Sequence, residues 1–387
     1  MQLEQRGAVV FDVLEHVEAG DQVKARVIEG HAGMTVTVEE CDIAVAGAPD
    51  GPQSGAILAP VGEGTLINDI PISLKGELVD DRGVSYREFR GKLRPRYRRV
   101  WRDIGTGYAA VATVVAAVAV WDPGLPAVVP AVAIGALLVG YGLAFLNNFF
   151  HESAHYNLHP DRARNDRLTN VLMGWLYGTS IQQYRKVHFQ HHRALGTTMD
   201  SENSYFDPLR VRYLAEGLLG LKVIRTLRRY RKVEAERARP RAESSGPSTR
   251  LAWSLLAAAV NLAIGGGLWL AGAEAAGLVW LGGLLAAFPF FVSVRQLLEH
   301  RSEHADPEVD YHQVDHGAVN RLFGEGPLAS TMGSAGFNRH ALHHWEPNLS
   351  YTNLPELERW LLGTGAAPLV EERQTTYAGT FLKLLHL

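Results

Sequence analysis

Cysteine is almost missing from this chain of 387 residues, which has only Cys41. A single cysteine excludes a disulfide bond within the chain and fits a reducing compartment. The Met1 end also lacks a basic start followed by an apolar core, so we expect no signal peptide. Neither feature is typical of a small secreted domain held together by disulfides.

Charged side chains are missing from two long apolar blocks, residues 104–150 and 251–294, except at Asp122 and Glu274 near their middles. Each block therefore splits into two spans of nearly 20 apolar residues or more, the length at which a helix crosses a bilayer. The predicted spans are about 104–121, 125–147, 251–273 and 275–294. Two buried hairpins of a soluble protein are the alternative, which uncharged runs of this length disfavour.

Basic residues indicate how these spans are oriented. Eight of them lie between Arg87 and Arg102, directly before the first span, and the turns at Asp122 and Glu274 carry none. Positive charge beside a membrane helix marks the cytoplasmic side. Four crossings then place both termini in the cytoplasm, together with the three histidine clusters described below.

Residues 1–75 predict a small separate β-rich domain, because short alternating runs such as 23–28 and 34–38 lie between glycine, aspartate and proline turns. Through Asp80 the chain has 14 acidic and 4 basic residues, a balance of -10, whereas the whole chain is -3. A solvated acidic surface explains this charge, and a docking face for a partner is the alternative. We recognise no cofactor motif in this domain.

Two segments between the apolar blocks have their own character. Residues 168–181 are apolar but short and are interrupted by Gly174 and Gly178, which favours an interfacial or re-entrant helix. Residues 221–241 hold nine basic side chains. This second segment predicts a helix along the anionic inner leaflet, or equally a solvated helix.

Histidine is concentrated in three clusters, which hold eight of the sixteen in the chain. The clusters are HESAH (His151, His155), HFQHH (His188, His191, His192) and HALHH (His340, His343, His344). Spacings of three and four residues place the imidazoles of each cluster on one face if the segment is helical. Several of them can then reach a common metal ion.

A ninth candidate ligand follows the last predicted span, in the segment RQLLEH. If that helix continues, Gln296 and His300 lie four residues apart on one face, near the cytoplasmic boundary. His304 is a weaker candidate. His159, His312 and His316 are expected to be ordinary surface residues.

Eight or nine neutral imidazoles are too many for one tetrahedral zinc, and they suit two borderline transition metals, most plausibly iron, with positions open for water or oxygen. A site just below the headgroups suggests a lipid-like substrate. Oxidation of an unactivated C–H bond is the reaction that needs such a centre there.

Two other interpretations remain. HESAH matches the zinc-protease pattern H-E-x-x-H, in which Glu152 would activate water. That interpretation uses only two histidines, so Glu152 is better understood as a group that orients a ligand imidazole. A metal carrier or sensor would need more polar residues within the spans than Asn261 and a few hydroxyl groups.

Four segments resemble the membrane fatty acid desaturase and hydroxylase superfamily, over about residues 76–387. They are YREFRGKLRPRYRRVW, HESAHYNLHPDRARNDRL, YRKVHFQHH followed by Asp200, and HHWEPNLSYTNLPEL. The resemblance implies a mainly α-helical fold with four transmembrane helices in two hairpins and a cytoplasmic helical cap. It implies that the cap holds two irons through the eight cluster histidines and His300, and that Gln296 holds an iron-bound water.

The activity that the resemblance implies is an oxidation with dioxygen and two electrons, which desaturates a fatty acyl chain lying in a narrow tunnel. Hydroxylation of an acyl chain or another apolar molecule is the alternative, because both reactions begin with the same hydrogen abstraction. The sequence has no HPGG haem-binding segment. The electron donor is therefore expected to be a separate protein of the ferredoxin or cytochrome type, and no nucleic acid partner is expected.

Overall fold

A computed structural model describes residues 70–221 and 247–386 of the chain, together with the backbone of 26–27 and 39–40. The chain divides into two compact units, Met1–Pro60 and Val61–Leu387. The second unit is mainly helical in its described residues and carries both apolar blocks and all three histidine clusters.

Of the first unit, the structure describes one antiparallel pair, β1 (Arg26–Val27) with β2 (Glu39–Glu40). Up to residue 69, the rest of the β-rich domain predicted for residues 1–75 lies outside the described residues, and that domain stays a prediction. The predicted basic helix at residues 221–241 also lies outside the described part of the chain, except for Leu221.

The described helices of the second unit follow one another in this order along the chain. The described α-helices are α1 (Tyr86–Lys92), α2 (Tyr97–Trp121), α3 (Val128–Ala154), α4 (Arg162–Thr169), α5 (Trp175–Tyr177), α6 (Ile181–Ala194), α7 (Val211–Leu218), α8 (Pro247–Leu270), α9 (Glu274–Gly282), α10 (Phe288–His300), α11 (Pro327–Met332), α12 (His340–Trp345), α13 (Leu354–Leu362), α14 (Ala367–Glu371) and α15 (Tyr377–Leu384). The described 3-10 and π segments are Ile72–Gly76, Asn170–Gly174, Gly283–Ala287, Ser334–Arg339 and Tyr351–Asn353. A short parallel pair joins β3 (Leu209–Arg210) to β4 (Leu385–His386).

Among the described residues, four helices are long and apolar enough to cross a membrane, as the two uncharged blocks predict. They are Tyr97–Trp121, Val128–Ala154, Thr249–Leu270 and Glu274–His300, the last being α9 and α10 joined through a π turn. The second and fourth helices run six or seven residues beyond the predicted ends. Past the predicted spans both helices carry polar side chains, and these contact the rest of the fold.

α3 packs against α2, α9 and α10. At Gly140 a Cβ atom would lie 2.3 Å from the Cβ of Ala287, so glycine is what lets α3 approach the π turn closely. In the most apolar stretch of each helix, 39% of Glu274–His300 is buried but only 11% of Thr249–Leu270. Most of the apolar surface of α8 is therefore not covered by other described residues.

The segment from α4 to α5 is helical, as the sequence predicts, and continues through a π turn at Asn170–Gly174 until Gly178 ends it at φ 70°. It packs against α8, where a Cβ on Gly174 would meet the ring of Trp253 at 2.7 Å. Its position at a membrane interface stays a prediction.

Aromatic packing holds α12 against α1 and α13. The rings of Tyr86 and Trp345 lie 5.0 Å apart, and Phe89 stacks on Trp360 at 4.9 Å. Glu346 accepts hydrogen bonds from the Tyr86 hydroxyl at 2.5 Å and from Lys75 Nζ at 2.8 Å. These contacts fix the helix that carries HALHH.

Candidate metal centre

The first histidine pair lies at the end of α3. His151 is within the helix, and His155 is the residue that follows its last turn. Arg185 of α6 donates from Nε to the carbonyl of Ala154 at 2.7 Å and also pairs with Asp166 of α4 at 2.6 Å. This guanidinium satisfies carbonyl groups that a helix end leaves open and ties three helices together below the pair.

The second set lies on α6. Ser180 is the N-cap of this helix, and its Oγ accepts a hydrogen bond from the backbone N of Gln183. The helix ends before Gly196, which has φ 78°. His188, His191 and His192 therefore lie on one helix, as their spacing predicts.

The third set opens α12, after a turn in which Ala335 and Gly336 both have positive φ. A Cβ on Gly336 would lie 2.7 Å from Leu354 and 2.8 Å from Tyr351, so this turn also requires glycine for space. α10 persists to His300, its last residue, which confirms that Gln296 and His300 are separated by one helical turn.

All nine predicted ligands come together, in two groups found among the described residues. The five-histidine group is His151, His155, His188, His192 and His343, and the four-histidine group is His191, His300, His340 and His344. Within each group the candidate donor atoms lie within 4.8 Å of one another. Each group could hold one metal ion.

Ring nitrogens face one another inside each group. The Nε2 atom of His188 lies 2.8 Å from that of His155 and 2.9 Å from that of His192. In the other group, Nε2 of His340 lies 2.9 Å from that of His300 and 3.1 Å from that of His344. The groups are adjacent, since the rings of His192 and His344 are 4.3 Å apart.

Burial favours the neutral form of most of these imidazoles. It lowers the pKa of the histidines that lie beyond the candidate spans, and repulsion from neighbouring imidazoles lowers the pKa further, at His155, His192, His340, His343 and His344. His191 differs, because Asp200 and Glu202 outweigh burial and raise its pKa. A neutral imidazole offers the lone pair that a metal ion requires.

Two carboxylates face Nδ1 atoms of the histidines, one in each group. Asp200 lies 2.8 Å from Nδ1 of His191, and Glu202 lies 3.2 Å from Nδ1 of His188. Burial opposes ionisation of Glu202, but His191, His188 and Arg295 lower its pKa to about 2. Sequence reasoning missed Glu202, because a loop carboxylate gives no periodic signal.

Gln296 and Glu152 have partners that the sequence did not indicate. Gln296 donates from Nε2 to Glu202 at 3.0 Å and accepts a hydrogen bond from Ser204. Glu152 accepts a hydrogen bond at 2.8 Å from the backbone N of Tyr351. The described contact of Glu152 is therefore with the main chain, and a role in orienting an imidazole stays a prediction.

Phe337 is a second residue that the sequence did not indicate. Its ring stacks on His340 at 4.9 Å and lies 4.4 Å from the ring of His151, so it touches both groups. The guanidinium of Arg295 covers it at 3.7 Å. This aromatic ring therefore packs against one imidazole of each group.

His304 belongs to neither group and is exposed. His312 is largely covered, and the expectation that His316 is a surface residue is wrong, since it is only 5% exposed. The loop after α10 folds back, so that His316 packs on Phe206 at 5.5 Å and lies 3.5 Å from Nη1 of Arg301.

The fold and the histidine groups define a mainly helical protein with four candidate membrane helices and a candidate metal centre. A sequence model of the family described as fatty acid desaturase matches residues 123–375, more than half of the chain. The chain therefore belongs to the fatty acid desaturase family, which indicates an enzyme of the desaturase and hydroxylase type. A comparison with curated proteins gives no match.

Proposed function

We propose that this protein is an integral membrane diiron oxidoreductase that uses dioxygen and two electrons to desaturate a fatty acyl chain. The observation that carries the proposal is the convergence of nine imidazoles into two adjacent groups in a chain of the fatty acid desaturase family. Further support comes from the four apolar helices, which fit an enzyme that takes its substrate from a bilayer.

The donor set fits a pair of irons. Nine histidine nitrogens in two groups exceed what one tetrahedral zinc accepts, and borderline metals such as iron take imidazole readily. Both ring nitrogens of His151 are buried without a hydrogen-bond partner among the described residues, which a bound ion would relieve. Two irons bound here would activate dioxygen, which supplies the oxidising power to remove hydrogen from an unactivated C–H bond.

The chain itself holds this centre. His151 and His155 end α3, and His300 ends α10, so the C-terminal ends of two candidate spans carry ligands of both groups. The Phe337 ring packs against His151 of one group and His340 of the other. The substrate would be an acyl chain or another lipid whose carbon atoms reach the space between the groups.

The proposed topology has four crossings in two hairpins, with both termini and a helical cap that carries the active site on the cytoplasmic side. The basic run before α2 supports this orientation. Val120, Leu125 and Leu270, at the two tight turns, are from 87% to 90% exposed, as expected of side chains that face lipid. The electrons would come from a separate ferredoxin-type or cytochrome-type protein.

Desaturation removes two hydrogens from neighbouring carbons, and dioxygen with two electrons and two protons leaves as two waters. Hydroxylation, the alternative, places one oxygen atom in the C–H bond and releases one water. Both need the same ligands, so product mass separates them. The zinc-protease interpretation is less well supported, because HESAH shares its group with His188, His192 and His343.

The test is an assay of purified, iron-loaded protein with reductant, dioxygen and an acyl substrate, followed by mass spectrometry. We expect an iron-dependent product lighter by two hydrogens. A product heavier by one oxygen would favour hydroxylation. No iron-dependent oxidation would contradict the proposal.

A further inference from the structure

We propose that Asp200 and Glu202 are paired positioning residues, one for each metal ion, with Asp200 serving the four-histidine group and Glu202 the five-histidine group. This assignment rests on the proposed function, because it presupposes that each group holds an ion. It goes beyond that function by giving two loop carboxylates separate and non-interchangeable tasks.

The loop that carries the two carboxylates runs back along α6. Gln190 Nε2 donates to the carbonyl of Met199 at 2.9 Å, and Ser201 Oγ donates to the carbonyl of Val187 at 2.6 Å. Since the loop runs opposite to the helix, the earlier carboxylate meets the later histidine. The order Asp200 then Glu202 therefore matches His191 then His188, which belong to different groups.

Asp200 is held rigidly. Its side chain is 0% exposed, and its two oxygens lie 2.8 and 3.1 Å from Nδ1 of His191. Oδ2 also accepts from the Tyr205 hydroxyl at 2.5 Å, and Oδ1 accepts from the backbone N of Glu202 at 2.8 Å. The hydroxyl of Tyr205 is fixed in turn by the backbone N of Gly196 at 2.8 Å. The His191 ring consequently has one favoured orientation.

Glu202 is held by a different helix. Oε1 lies 3.2 Å from Nδ1 of His188, while Oε2 accepts from Gln296 Nε2 at 3.0 Å. Gln296 belongs to α10 and is itself held by Ser204. The Glu202 side chain is 19% exposed, so this carboxylate is less enclosed than Asp200.

The physical reason is the tautomer of each ring. A carboxylate only accepts hydrogen bonds, so the Nδ1 that faces it must carry the proton, and Nε2 keeps the free lone pair. In the structure Nε2 of His188 faces the other imidazoles of its group. The carboxylate also raises the basicity of the imidazole, and loss of such a partner typically weakens metal binding about 10- to 100-fold.

The experiment compares Asp200→Asn, Asp200→Ala, Glu202→Gln and Glu202→Ala with wild type in purified protein loaded with iron-57. Iron per chain is measured after dialysis against a chelator, and Mössbauer spectra follow the two iron environments. Asp103→Asn is the matched control, because Asp103 accepts from the Tyr351 hydroxyl at 2.9 Å and its described contacts include no imidazole.

We expect each Ala variant to bind one iron about 10- to 100-fold more weakly, with the Asn and Gln variants in between because they keep an acceptor. Asp200 and Glu202 variants should change different Mössbauer components, and Asp103→Asn should change neither. The near-isosteric Asn and Gln variants decide the matter if the Ala variants do not fold.

Variants that retain iron as the control does would overturn the assignment, and so would variants at both positions that affect the same iron. Wild-type protein holding two irons would leave the proposed function standing in either case. Wild-type protein that binds no iron would overturn both proposals.

Discussion

The two histidine groups share two helices, α6 and α12, which contribute to them in opposite proportions. On α6 the pair one turn apart, His188 and His192, joins the five-histidine group, and the single His191 joins the other. On α12 the assignment is reversed: the pair belongs to the four-histidine group and the single His343 to the five-histidine group. α3 contributes only to the larger group and α10 only to the smaller.

This comparison shows that a histidine cluster in the sequence is not a metal site. Each of the second and third clusters is divided between the groups, because residues four apart on a helix share a direction that the residue between them does not share. Two shared helices therefore fix the spacing of the groups, and the two other helices complete one group each.

The largest expected effect comes from neighbouring residues on α12. His343→Ala and His344→Ala should each remove one iron and abolish turnover, but they should remove different irons. Mössbauer spectra of iron-57 protein and metal analysis measure the loss. His304→Ala is the control and should keep both irons. Loss of the same component in both variants would contradict the division of the cluster.

The next effect tests the helices that each group does not share. Gly140→Ala should destabilise the protein by about 1–3 kcal/mol, because the new Cβ would force α3 away from Ala287 and the start of α10. Thermal unfolding in detergent measures it. Gly266→Ala on α8, which meets nothing within 4 Å, is the matched control and should be neutral or slightly stabilising. Equal stability of the two variants would contradict this packing.

A smaller effect is expected where the five-histidine group is tied to α10. Gln296→Ala removes the link from Glu202 to α10, so turnover should fall about 10-fold while two irons remain bound. Steady-state rates and metal analysis measure the two quantities. Unchanged turnover would show that Glu202 positions His188 without help from α10.

The smallest effect is expected at Glu152. Glu152→Gln keeps an acceptor for the backbone N of Tyr351, so the free energy of unfolding should change by only about 1 kcal/mol. Acyl oxidation should persist. If proteolysis were found in wild type and lost in this variant, the zinc-protease interpretation would replace ours.

Local patterns allowed much of the fold to be predicted from the sequence. The absence of charge located the four apolar helices, and spacings of three and four residues placed each histidine set on a helix. α3 and α10 continue past the apolar stretches, and hydropathy alone does not register a helix that goes on into polar contacts. Family membership, inferred from the histidine segments and their neighbours, is confirmed.

The partners of the histidines could not be predicted. The spacing of the histidines places His188, His191 and His192 on one helix but does not say which distant imidazole each one meets. The hydrogen bond from His188 to Glu202 depends on a loop that reverses along α6, and the burial of His316 depends on the loop after α10. Long-range contacts of loops leave no repeat in the sequence.

The most direct test of the central claim is the metal content of the purified protein, measured together with its iron-57 Mössbauer spectrum after anaerobic loading. Two irons per chain in two distinct nitrogen-rich environments are the result we predict. A single zinc per chain, or no bound metal, would contradict the account.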